Sequence, residues 1–234
     1  LLRPLIVWAH SIPILISYQT SPSGAAIQWL KPEMTSGKIH PYMFTQCESI
    51  LCRTLLPCQD TPSAKITVST SITVPKPLMA LNSGIYQSKI ENTNTTTYFY
   101  YQKIPIPSYL IAIAAGALEG RKISERTTVY AEAEDVDAAA LEFADTDKFI
   151  QIAESYTFPY EWGEYNILVL PPSFPYGGME NPCLTFATPS LIAGDKSLAN
   201  VIAHEISHSW SGNLVTMSSW SDFWLNEGFT MFLQ

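Results

Sequence analysis

A chain of 234 residues with 47% hydrophobic content is long enough for one large domain or two modest ones. It is also apolar enough to bury a core, which excludes an intrinsically disordered segment. The formal charge is -8, and the lysines and arginines are scattered, which argues against nucleic acid as a partner. Cys47, Cys52, Cys58 and Cys183 show neither zinc-ribbon spacing nor the density of a disulfide-stapled secreted domain, and are expected as reduced core thiols.

The opening run Leu1 to Ser17 is apolar, but Pro4 and Pro13 interrupt it and Arg3 and His10 sit inside it. It is shorter than the ~20 residues a membrane-spanning helix needs, so no membrane insertion is expected and a pair of buried strands is the reading. The lack of an initiator Met points to a fragment. From there to about residue 118 the text is strand-like. In Lys65 to Val74, Ile66, Val68, Ile72 and Val74 alternate with Thr67, Ser69, Ser71 and Thr73, the pattern of a half-buried antiparallel strand. Thr97 to Gln102 and Ser108 to Ala114 are further strands, and Glu91 to Thr96 is a loop or turn. The triplet Asn94-Thr95-Thr96 has the form of a glycosylation sequon, but nothing else marks a secretory route, and a cytoplasmic protein is expected.

Near residue 118 the character changes. The Ala- and Glu-rich stretch Asp135 to Tyr156 predicts a helix with Ala139, Phe143, Phe149, Ile150 and Ala153 on its buried stripe. The domain boundary is placed there, dividing the chain into 1–118 and 119–234. Ile167 to Leu170, stopped by Pro171 and Pro172, predicts a buried strand.

Lys196 to Ser211 reads as a helix with Gly212 placed to end it. Inside it lies His204-Glu205-Ile206-Ser207-His208. Residues four apart share a helix face, so the two imidazoles project side by side at a separation suited to one tetrahedral zinc ion. Glu205 then stands where a carboxylate could take a proton from zinc-bound water, whose pKa the metal lowers to about 7. A catalytic zinc needs a third protein ligand and an open fourth position. Glu227, in Asn226-Glu227-Gly228-Phe229, is the candidate, on a second helix opening at Ser221 or Asp222. A carboxylate among Phe223, Trp224, Leu225 and Phe229 calls for a partner, and a metal supplies one. Upstream, the Gly177-Gly178 pair in Pro175-Tyr176-Gly177-Gly178-Met179-Glu180-Asn181-Pro182 would let a ligand approach the backbone closely. Glu180 offers a negative charge to a positive group.

GGMEN, HEISHSW and WLNEGF at this spacing resemble the M1 metallopeptidase family, in particular the branch whose members also hydrolyse a lipid epoxide. The likeness runs from about residue 16 to the end, through TSPSGAAIQWLKPEMTSGKIHPYMFTQCE, PCQDTP and LPPSFPYGGMENPCLTFATPSLIAGDKSLANVIAHEISHSWSGNLVT. It implies an α+β fold: the C-terminal part of an all-β, saddle-like domain followed by the front half of a thermolysin-like catalytic domain. By this resemblance His204, His208 and Glu227 bind one Zn2+ per chain, and Glu205 is the general base. Glu180 grips the free amino group of a peptide, with Tyr176, Gly177, Gly178, Met179, Gln46 and Glu48 around the substrate. Tyr176, Trp220 and Phe223 match residues of the pocket and lipid channel, although as residues they read equally well as core. The partners implied are peptides with a free N-terminus and a lipid epoxide, acted on by a monomer.

Two departures qualify this. The epoxide-hydrolysing members carry Gln at the place of Glu48, whereas other aminopeptidases of the family carry Glu there as a second amine anchor. Glu48 is therefore expected to tilt the chain towards peptides. The chain also stops at Gln234, where the family usually has Glu. It ends before the tyrosine that stabilises the oxyanion and before a helical C-terminal domain. These 234 residues alone are expected to be nearly inactive and prone to aggregate. The alternatives are a truncated product that binds zinc or peptide without catalysis, and an endopeptidase. The latter is disfavoured because Glu180 would cap an extended chain.

Overall fold

The computed structural model describes residues 12–234. Most of the opening run expected as paired strands lies outside them. Its described part, residues 12–17, is irregular and exposed, so no buried strand forms there.

The strands that follow are β1 (Ile27–Leu30), β2 (Tyr42–Thr45), β3 (Lys65–Pro75), β4 (Met79–Asn82), β5 (Ile85–Glu91), β6 (Thr95–Pro107) and β7 (Ile113–Gly116). They form two antiparallel sheets, β1-β2-β7-β4 and β3-β6-β5. β3 keeps the expected alternation from Val68 to Val74, and a bulge between Ile66 and Val68 leaves Ile66 exposed. The expected turn within Glu91 to Thr96 is a hairpin tip, because the β5–β6 ladder runs as far as the pair Glu91 and Thr96. Ser108 to Ala114 is not one strand. Ser108–Leu110 is a buried 3-10 turn, entered from Pro107, which has no N–H to extend a ladder. The Ser108 hydroxyl donates to Asp60 Oδ1 at 2.7 Å, and β7 follows.

β8 (Leu118–Lys122), β9 (Thr128–Glu132), β10 (Asn166–Val169), β11 (Gly178–Met179) and β12 (Leu184–Ala187) build a third sheet in the order β11-β12-β10-β9-β8. Its centre is parallel and its two edge strands are antiparallel. The helices are α1 (Val136–Glu142), α2 (Thr146–Tyr156), α3 (Asn200–Ser207) and α4 (Phe223–Leu233). The expected helix over Asp135 to Tyr156 is broken after Glu142, where the Thr146 hydroxyl donates to Phe143 O at 2.6 Å. The break still leaves Ala139, Phe143, Ile150 and Ala153 buried. α3 is shorter than Lys196 to Ser211. Lys196 has φ +62, and Glu142 ties down the N–H groups of Gly194 and Lys196 at 2.8 Å each, so this corner cannot be helical.

The third sheet is covered on both faces, which is why β10 is a continuous apolar run. Ile167 and Val169 pack with α1, α2 and α3 in one cluster. Leu168 and Phe186 pack with Phe44, Leu81, Ala114 and Met179 in another. The N-terminal sheets thus back onto the sheet whose edge strand, β11, lies beside α3.

Candidate metal centre

α3 presents His204 and His208 one turn apart, and α4 brings Glu227 to meet them. His204 Nε2 lies 3.2 Å from His208 Nε2 and 3.3 Å from Glu227 Oε2, and His208 Nε2 lies 3.5 Å from Glu227 Oε1. Two ligands about 2.05 Å from a zinc ion and a tetrahedral angle apart are separated by ~3.3 Å, so the triangle matches three corners of such a site.

Each imidazole is held through its far nitrogen. His208 Nδ1 faces Ser211 O at 3.0 Å, beside the Thr230 hydroxyl, and His204 Nδ1 faces Gln234 Oε1 at 3.0 Å. Carbonyl acceptors there favour the Nδ1–H tautomer in which Nε2 is available to a metal, while without one His204 Nε2 is hydrogen-bonded to Glu227, which raises the imidazole pKa. The turn that carries Ser211 closes at Gly212, with φ +113. A Cβ there would sit 3.1 Å from His208 Nδ1, so glycine is required both by its dihedral and by the imidazole.

Behind the triangle the structure gathers further acid groups. Glu180 and Glu205 each place a carboxylate oxygen within 4.8 Å of a ring nitrogen of His208 and of one another. Both are buried. Glu205 lies flat against β11, where a Cβ on Gly178 would fall 2.2 Å from Glu205 Oε1. Glycine at 178 therefore serves the packing of this acid as well as any ligand. Glu180 Oε1, Glu205 Oε2, Glu48 Oε1 and Gln46 Oε1 are buried without a hydrogen-bond partner, while Gln46 Nε2 meets Met179 Sδ at 3.2 Å.

The electrostatics follow from this crowding. Burial, reinforced by the neighbouring acids Glu180 and Glu227, pushes the Glu48 carboxyl up to about 8. Burial and the Glu227 charge push Glu180 up to about 7, and Glu205 is raised well above the carboxylate range for the same reasons. For Glu227, burial is more than offset by the hydrogen bond with His204 and by the two adjoining imidazoles, which leave it below its usual value. Burial lowers His208 to about 4, so it stands neutral and able to ligate. Three acids held partly protonated for want of positive charge, next to a preformed N,N,O triangle, fit a divalent cation.

The remaining predicted residues sit at the mouth. Exposure falls along Tyr176, Gly177, Gly178, Met179 and Glu180 from open to buried; Tyr176 is 49% exposed with its ring edge-on to Phe174. Trp220 packs against Tyr109 at 4.9 Å and Phe223 at 5.5 Å. Sequence reasoning missed Asn213, Asn226 and Tyr109. Asn213 Nδ2 donates to the Glu180 carbonyl at 2.7 Å. Asn226 Nδ2 donates to the Tyr109 hydroxyl at 3.2 Å, and Asn226 Oδ1 accepts from the Met217 N–H at 3.1 Å. A polar residue in an apolar run was the available signal for Asn226; Asn213, in a turn, gave none.

Comparison with known proteins gives a consistent picture. The Peptidase M1 N-terminal domain matches residues 9–110 and the Peptidase family M1 domain matches residues 140–234. Leukotriene A-4 hydrolase of Xenopus laevis is 56% identical over 228 residues, covering 96% of this chain and 37% of that protein. Leucine aminopeptidase 2 of Yarrowia lipolytica is 52% identical over 225 residues, covering 95% and 34%. Yeast LTA4 hydrolase in complex with bestatin superposes with a TM-score of 0.84 at 52% identity over 92% of this chain and 33% of that one. An M1 zinc metallopeptidase from Deinococcus radiodurans superposes at 0.71, with 25% identity over 82% and 44%. The chain thus spans little more than a third of the length of the curated relatives it matches.

Proposed function

The chain belongs to peptidase family M1, a family of zinc metallopeptidases, and from that premise we propose that it carries the catalytic machinery of an aminopeptidase. One zinc ion per chain would be held by His204, His208 and Glu227. The observation that carries the reading is the combination of their near-tetrahedral spacing with a buried, unpartnered carboxylate oxygen on Glu180.

When bound, the metal supplies Lewis acidity that makes a water nucleophilic near neutral pH. The residues of the chain do the rest. Glu205, held against Gly178 with one oxygen free, accepts the proton of the attacking water and returns it to the leaving amine. Glu180 accepts a hydrogen bond from the α-ammonium group of the substrate, and the Glu48 carboxyl beside it, pushed up to about 8 by burial and the neighbouring acids, would ionise as that cation arrives and add a second negative charge. Fixing the amino terminus at one distance from His204 and His208 allows only the first peptide bond to reach Glu205, which makes the reaction exopeptidic by geometry. Gly177, exposed, and Gly178, half-buried, both without side chains, run alongside the substrate backbone.

The division into a β domain over 1–118 and a catalytic domain over 119–234 is part of this reading. It is supported by β7 ending in one sheet at Gly116 and β8 beginning in another at Leu118. A lipid epoxide is the second substrate class, supported by the name of the Xenopus relative and by the aromatic packing of Tyr109, Trp220 and Phe223. Free thiols at Cys47, Cys52, Cys58 and Cys183 favour a reducing, cytoplasmic compartment. No helix of the described residues is long and apolar enough to cross a membrane.

The test is an assay of the full-length protein on aminoacyl amides, amino-blocked peptides and a fatty-acid epoxide, with and without a chelator. Chelator-sensitive release of unblocked N-terminal residues, restored by zinc, is expected. Cleavage of blocked peptides at equal rates would sink the proposal.

A further inference from the structure

Lys65 opens β3 in the N-terminal sheets, yet its ammonium group reaches across to the turn that follows the metal helix. Lys65 Nζ donates to Asn213 O at 3.2 Å and to Leu214 O at 3.0 Å. Its partners are two backbone carbonyls of one turn rather than a carboxylate. Burial of the stem costs rotamer freedom and lowers the lysine pKa, so the contact must offset both.

That turn is bonded to the site on two sides. Asn213 N–H donates to His208 O at 3.1 Å, which joins it to the helix carrying the imidazoles. Asn213 Nδ2 donates to Glu180 O at 2.7 Å, and both residues are buried, Asn213 at 2% and Glu180 at 6% exposure. The amide of Asn213 is therefore the strut between the imidazole helix and the segment bearing the amine-binding carboxylate. The ammonium of Lys65 fixes the backbone from which that strut projects. Carbonyls just past a helix C-terminus are a favourable place for a cation; Asn213 O also accepts from the Thr216 hydroxyl at 3.2 Å, but the cation comes from the other half of the molecule.

We infer that Lys65 is a positioning residue for substrate specificity: by clamping the 213–214 carbonyls it sets the distance between Glu180 and the metal-binding imidazoles, and so the discrimination in favour of a free amino terminus. This rests on the aminopeptidase reading above. It goes beyond that reading by assigning amine selectivity to a contact between the two halves, outside the substrate pocket. Lys65→Met keeps the stem and removes the donors; Lys65→Arg keeps a cation.

The experiment measures inhibition of the full-length protein by leucine hydroxamate and by its des-amino counterpart, isocaproyl hydroxamate. The two differ only in the group Glu180 would hold. The ratio of the two inhibition constants should fall about tenfold in Lys65→Met, the loss expected for one charge-assisted hydrogen bond drawn out of position. Lys65→Arg should recover most of it. A purely structural role would weaken both inhibitors together and leave the ratio intact, and that result overturns the inference, as does a ratio unchanged with both affinities unchanged. If Lys65→Met fails to fold, Lys65→Gln is read in the same way. A parent protein that shows no preference for the amine sinks the aminopeptidase reading itself, which separates the two failures.

Discussion

Two clusters of acids in this chain are built from the same side chains and balanced in opposite ways. At the outer face of α2, Arg126 donates to Asp147 at 2.7 Å and, through two nitrogens, to both oxygens of Glu154 at 3.1 and 3.0 Å. Its guanidinium also lies 5.7 Å from the Tyr160 ring. The Arg126 hydrogen bond holds the Glu154 carboxyl below its usual value. Around the candidate metal centre Glu48, Glu180 and Glu205 have no such cation among the described residues, and their carboxyls are raised. A structural network spends its hydrogen bonds on itself; a binding site leaves charge and hydrogen-bonding capacity for something that arrives later.

The comparison breaks first at Glu205. If its free oxygen exists to move a proton, Glu205→Gln should keep zinc, measured by metal analysis, while kcat on an aminoacyl amide falls roughly 10²–10⁴-fold. Near-normal turnover in a zinc-loaded variant would return Glu205 to the structural class. Glu180→Gln comes next. Losing one partner of a buried charge pair should lower kcat/KM for free-amine substrates about 10²-fold, and hydrolysis of amino-blocked analogues should not fall with it. An equal loss on both would mean that Glu180 supports the fold and not the amine.

The site was more legible in the sequence than the fold around it, for a physical reason. Ligand spacing on a helix is local, so His204, Glu205 and His208 are readable from a five-residue window, and Glu227 could be paired with them through chemistry alone. The strand alternation of β3 and the buried β10 were readable for the same reason. Long-range effects were not. Lys196 looks like a helix opener until Glu142, from a distant helix, claims the N–H groups around it. Asp135 to Tyr156 has unbroken helical composition, and nothing in it marks the break at Phe143, whose carbonyl accepts from the Thr146 hydroxyl. Asn213 and Lys65 belong to contacts more than a hundred residues long, which no window contains.

Glu48 sharpens the comparison at smaller scale. Burial and the charges of Glu180 and Glu227 push its carboxyl up to about 8, so Glu48 gives up its proton readily only when a cation arrives, and an amide in its place removes the second charge that an ammonium group would meet. Glu48→Gln should therefore raise KM for peptide amides about three- to tenfold with little change in kcat. Its epoxide hydrolysis should be unchanged or improved. An unaltered peptide KM would count against any role in amine binding.

The internally paired cluster supplies the smallest effect and a sign that can be checked. Arg126→Met should cost about 1 kcal/mol, since the side chains of Arg126 and Glu154 are 24% and 27% exposed and partly screened. That corresponds to a Tm lower by about 2–4 °C in a chain of this size, with aminopeptidase kinetics unchanged. Because the folded-state Glu154 pKa is depressed, the parent's advantage is fully present above the unfolded value of about 4.3 and is lost as pH falls through the folded one. Melting curves of parent and variant should therefore converge on acidification below pH ~4. An advantage that persists at low pH instead would show that Arg126 acts mainly through its contact with the Tyr160 ring, since the guanidinium stays charged throughout.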